Sequence, residues 1–114
     1  MLNSMVEDFE LDRVYAALAD PTRRRIVAAL RAGEARITDL ARSEPISFAA
    51  VARHVAVLES AGLVRRDVRG REHWISADSS QLRPAQRWIE EQTTFWAERA
   101  DALARRLSRR RTAR

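Results

Sequence analysis

Arginine supplies most of the chemistry this chain can offer. All 21 basic residues are arginine. A guanidinium presents a planar fork of donors that matches a carboxylate, a phosphate or the O6/N7 edge of guanine. Its most informative setting is the run from Phe48 to about Ala61. At 100° per residue, Val51, Val55 and Leu58 fall on one helical face and should pack inward. The opposite face holds Ala49, Arg53, Ala56 and Ser60, and Ala52 lies at its margin. Side chains this small let a helix approach a major groove about 12 Å wide, where Arg53 reaches a guanine edge. Ser47 stands where free backbone N–H groups and the helix dipole attract phosphate. Arg69 and Arg71 flank Gly70 and suit phosphate or minor-groove contacts. Arg23, Arg24, Arg25 and Arg42 are further phosphate candidates, although arginine clusters on helices are commonly solvated faces. For His54, beside the apolar face, a packing role and a DNA role are both open.

Other chemistries lack their parts. There is no cysteine, which removes disulfides, thiolate metal sites and cysteine nucleophiles. The two histidines, His54 and His73, fall in different elements and cannot assemble an imidazole-rich metal site within one chain. No cofactor is expected. No nucleophile motif, glycine-rich phosphate loop or paired carboxylate with a positioned histidine is visible, so an enzyme is not expected. No apolar run nears the ~18 residues of a membrane span, and the first ten residues lack the pattern of a secretory leader. The expected location is the cytoplasm, with the nucleoid as the site of work.

The elements that must position these residues can be read from periodicity and caps. The 114 residues fit one domain. Leu11, Val14, Tyr15 and Leu18 form a one-faced helical stripe. Asp20-Pro21 is a cap followed by a first-turn proline, opening a helix that Gly33 closes. Thr38 is a cap candidate for a brief helix ended by Pro45, and Ser47 caps the next, closed by Gly62. Two short helices joined by residues 42–46 read as a helix-turn-helix. Residues 63–68 and 71–76 are β-prone runs around Arg69-Gly70, a two-stranded hairpin. A last helix should run from about Gln81 to Leu107, with residues 108–114 a disordered basic tail. Charge follows this layout. Residues 1–20 carry five acids against one arginine, and residues 21–71 carry eleven arginines against five acids. Residues 72–104 have three arginines against six acids, and residues 105–114 have six arginines and no acid. A basic middle between acidic segments suggests a localised anionic partner.

Residues 19–27 (ADPTRRRIV) and 51–64 (VARHVAVLESAGLV), with the Arg-Gly-Arg hairpin after them, resemble the ArsR family of bacterial repressors over about residues 9–107. The resemblance implies a mainly α fold with a two-stranded β wing, a winged helix-turn-helix spanning 6–107 with its DNA-binding core at 21–77. It also implies a homodimer that binds an operator in double-stranded DNA, usually as a repressor. Family members commonly carry serine or glutamine near positions 48, 49 and 52, where this chain has Phe48, Ala49 and Ala52. Direct base readout is therefore expected to be sparse and shape readout larger. The cysteine pairs and the His/carboxylate clusters with which relatives sense metals are missing, so a non-metal-sensing type is expected. The long last helix carries Leu82, Ala85, Ile89, Trp96, Leu103 and Leu107 near heptad spacing. With Leu11 and Tyr15 of the first helix, this stripe is the expected dimer interface. Tyr15, Trp88, Phe95 and Trp96 either fill that interface or line a cavity for a small-molecule effector. The competing reading is a winged-helix protein-interaction module without specific DNA binding.

Overall fold

The computed structural model describes residues 2–112. Five α-helices and three strands follow in the order α1 (Leu2–Leu18), α2 (Pro21–Ala29), β1 (Ala35–Arg36), α3 (Ile37–Arg42), α4 (Phe48–Ser60), β2 (Val64–Arg69), β3 (Glu72–Ala77) and α5 (Leu82–Thr112). A single 3-10 turn, Leu30–Ala32, carries α2 into the loop before β1.

Local chemistry sets most boundaries. The Asp20 carboxylate accepts from the Arg23 backbone N–H at 3.0 Å, and Pro21 occupies the first turn of α2, as expected. Ser47 Oγ caps α4 by accepting from the Ala50 N–H at 3.1 Å. The far end of α4 closes in a Schellman turn, with the Gly62 N–H on the Glu59 carbonyl and the Leu63 N–H on the Leu58 carbonyl, both at 3.0 Å. Gly62 has φ +76°, and a Cβ there would stand 2.8 Å from the Gln81 side chain, so only glycine fits.

Two expectations need correction and a third is extended. Thr38 does not cap α3: the helix begins at Ile37, and Asp39 reaches back to accept from the Arg36 N–H at 3.1 Å. The expected two-stranded wing forms as the β2–β3 hairpin, and β1 adds a third strand to its sheet. Ala35 and Arg36 pair with Ile75 and Trp74, giving an antiparallel sheet in the order β1-β3-β2. The basic tail does not leave the helix at residue 108; α5 continues through Thr112, and residues 113–114 lie outside the described residues. Helix-favouring arginines and the 3.6-residue spacing carry it on.

The core sits where α1 to α4 meet the sheet. Val14 and Ala17 of α1, Ile26 of α2, Leu40 of α3 and Val51, Val55 and Leu58 of α4 close on Leu63, Val64 and Ile75. The inward triad expected of α4 is thus buried. Tyr15 ties α1 to α5: its hydroxyl donates to the Ala85 carbonyl at 3.0 Å, and its ring meets Trp88 edge-on at 6.1 Å. Beyond Trp88, α5 leaves the body, and the molecule is 76 Å in its longest dimension. Among the described residues no helix is long and apolar enough to cross a membrane.

Candidate nucleic-acid interface

Helices α3 and α4, joined by residues 43–47, form a helix-turn-helix whose second helix turns one face to solvent. Ala49, Arg53, Ala56 and Ser60 are exposed on that face, with Ala52 half-buried beside them. Among the described residues the Arg53 guanidinium has no hydrogen bond or ion pair to its own chain. Phe48, at the start of α4, is 53% exposed despite its size. It borders a cleft of about 240 Å³ whose other walls include Thr38 of α3 and Arg71 and His73 of the hairpin.

The hairpin holds its two arginines differently. The turn needs Gly70 at φ +62°, and it leaves Arg71 exposed with no side-chain partner among the described residues. Arg69 is paired. It donates to both carboxylate oxygens of Glu34 at 2.9 and 3.0 Å and to Asp67 at 2.9 Å, with its guanidinium 5.0 Å from the Trp74 ring centroid. The Glu34 and Asp67 carboxylates raise the pKa of Arg69 further, so it stays charged. Arg36 lies over the same ring at 5.7 Å and pairs with Asp39 and Glu72 at 3.1 Å each. These contacts hold Asp39 below the usual carboxylate range, first through the Arg36 guanidinium and then through its backbone N–H.

Arg23 has a structural post. Helix α1 ends without a glycine cap, leaving its last carbonyls in need of donors. Arg23 Nε donates to the Ala17 carbonyl at 2.7 Å and Nη2 to that of Ala16 at 3.1 Å, while Arg24 reaches the Leu18 carbonyl at 2.6 Å. Nη1 of Arg23 stands 3.2 Å from His54 Nδ1, which also lies 3.9 Å from the Asp20 carboxylate. His54 thus links α4 to the α1–α2 corner. The Arg23 backbone N–H lowers the Asp20 pKa. Arg25 is paired with Glu44 at 3.0 Å, whereas Arg42 stays largely exposed, 3.8 Å from Asp39.

The expected dimer residues divide in two. Ala85 is 4% exposed and belongs to the chain's own core, and Leu11, Tyr15 and Leu82 are half-buried against that core. Ile89, Trp96, Leu103 and Leu107 are between 50% and 63% exposed along one side of α5. Tyr15 and Trp88 line an open depression with Leu11 and Ile89, while Phe95 and Trp96 border another further along the helix. Among the described residues no group of three or more His, Asp or Glu side chains stands close enough to hold a metal ion. His73 Nδ1 lies 3.0 Å from Arg66 Nη1.

Residues missed by sequence reasoning are the acids that pair with Arg69. Glu34 sits 35 positions away in a loop that looks like a plain link. Only the pairing of a two-residue β1 with β3 brings it to the wing. Asp67 was accessible, since it shares a strand face with Arg69 at i, i+2.

Comparison with known proteins fits this geometry. A helix-turn-helix domain family matches residues 18–67, from the end of α1 into β2. The HTH-type transcriptional regulator Rv2034 of Mycobacterium tuberculosis is 49% identical over 46% of this chain, and the match spans half of that regulator's length. The transcriptional repressor SdpR of Bacillus subtilis is 27% identical over 69% of this chain and 88% of its own. The solved structure of an ArsR-like transcriptional regulator from Rhodococcus sp. RHA1 superposes with a TM-score of 0.69 at 34% identity, covering 82% of this chain and 89% of that one. At that identity and coverage, this chain belongs to the ArsR family of winged helix-turn-helix transcriptional regulators.

Proposed function

We propose that two copies of this chain pair through α5 and α1, and that the pair represses transcription by binding a pseudo-palindromic operator in duplex DNA. The observation that carries the reading is Arg53, unpaired at the centre of a small-residue face on α4. A buried or ion-paired arginine would lose energy on moving to a base, and a solvated one loses little. Arg53 is the base reader. Ser47 at the helix N-terminus, Arg42 and Arg71 serve the phosphates on either side, and Ala49 and Ala52 give the helix clearance. Arg69 contributes only after phosphate displaces Glu34 and Asp67, and Arg23 and His54 act by fixing the pose of α4.

Pairing follows from α5. Ile89, Trp96, Leu103 and Leu107 form an apolar stripe on a helix projecting beyond the domain, a surface that favours burial against its twin. A two-fold pair sets the recognition helices roughly 34 Å apart, one helical turn of DNA. No metal signal enters this scheme, because cysteine is absent and both histidines are committed to arginines. Such a regulator works in the cytoplasm, at the nucleoid.

Fluorescence anisotropy on duplexes selected from a random library, with sedimentation of the same samples, tests the proposal. Expected are a dimer and an affinity whose logarithm falls steeply with log salt, as phosphate contacts release counterions. Ile89→Gln with Trp96→Gln should give a monomer that loses operator affinity although the α4 face is intact. A salt-independent affinity, or an unchanged sedimentation and affinity in that variant, contradicts the proposal.

A further inference from the structure

The solvent face of α4 has an unusual make-up for a surface that must tell base pairs apart. Over its first three turns only one side chain on that face can form a hydrogen bond to a base, Arg53. Its neighbours one turn away are Ala49, Ala56 and Val57, all exposed, and Val57 is 41% accessible. Phe48 adds an exposed ring at the end nearest the wing. Exposed methyls and a phenyl ring around one guanidinium cannot pair with amino or carbonyl edges. They can cover a methyl group. In the major groove the only apolar group on a base edge is the C5 methyl of thymine, which 5-methylcytosine shares.

We infer that this face reads a guanine together with C5-methylated pyrimidines beside it. Arg53 takes the O6 and N7 atoms of the guanine, while Ala49, Ala56 and Phe48 bury the methyls. The inference rests on the operator-binding reading and goes beyond it by naming the chemical group that sets specificity. Hydrogen-bonding residues would discriminate by donor pattern and ignore the methyl; this face inverts that preference. Arg53 also gains, because covered methyls exclude water from its two bonds to guanine.

The test uses the full chain and a duplex selected by it from a random library. Three forms are compared: the parent duplex, the same duplex with every thymine replaced by deoxyuridine, and the parent with its cytosines methylated at C5. Burying one methyl corresponds to about fourfold in affinity. A loss of that size per contacted thymine in the deoxyuridine duplex supports the inference and assigns the methyl to thymine. A comparable gain with the methylated duplex supports it with 5-methylcytosine as the source. Equal affinity for all three forms overturns it while leaving operator binding intact. Failure to enrich any duplex overturns the operator reading instead, and this inference with it. Ala49→Gly and Ala56→Gly, each checked by circular dichroism, should shrink the thymine/deoxyuridine ratio, and a ratio equal to that of the unsubstituted chain assigns the methyl contact elsewhere and contradicts the inference.

Discussion

Arg53 and Arg69 belong to the two parts of the winged helix proposed to meet DNA, yet they are held in opposite ways. On α4 the guanidinium stands in solvent among methyl groups; on the hairpin it is held by two carboxylates and an indole. An arginine is thus not a DNA contact by virtue of its charge or its place in a motif. What counts is the change in its partners on binding. In the proposed complex Arg53 exchanges water for a base edge. For Arg69 two short ion pairs must be broken before a phosphate is gained, and the acids left behind repel that phosphate.

This contrast can be broken or sharpened by substitution. The largest effect should come from Arg53→Ala, costing about 1–3 kcal/mol on operator and much less on random duplex, read by anisotropy. Next is Glu34→Gln with Asp67→Asn, which frees Arg69: operator and random DNA should both bind about threefold to tenfold tighter, with a salt slope steeper by about one contact. Arg69→Ala should do less, changing affinity by under about threefold, whereas Arg71→Ala lowers the salt slope by about one. A loss in Arg69→Ala equal to that in Arg53→Ala would erase the distinction.

The smallest effect concerns pH. Asp78 accepts from the Ser80 N–H at 3.0 Å and pairs with Arg65 at 2.9 Å, bonds that hold its pKa at about 2 against an ordinary 3.8. A carboxyl lowered on folding contributes stability above its unfolded pKa and loses it as pH falls through the folded value. The gap in thermal stability between the native chain and Asp78→Asn should therefore be constant near neutrality and close between about pH 4 and about pH 2. A gap that persists at the acid end would show that the Asp78 bonds matter through shape and not charge.

Much of this architecture could be read from residue order because its signals are local. Asp20-Pro21, Ser47 and Gly62 mark helix ends by the chemistry of their own turns, and the Val51-Val55-Leu58 spacing marks the inward face of α4. What stayed hidden depends on long-range pairing. A two-residue strand has no alternation to detect, so β1 passed for a link and Glu34 for a loop acid. The bonds of Arg23 to α1 have only an indirect signal: α1 ends without glycine, and donors have to come from the next helix. The last turns of α5 were misread because a run of arginines scores as a solvated tail, although arginine is a good helix former.

The most direct test of the central claim is guanine methylation interference on the selected operator, with the native chain and with Arg53→Ala. Dimethyl sulfate places a methyl on guanine N7, the atom proposed to accept from Arg53. The account predicts two symmetric interfering guanines about 10–10.5 base pairs apart, centre to centre, that disappear in Arg53→Ala. The same interfering guanines in both proteins, or interference in one half-site only, would contradict it.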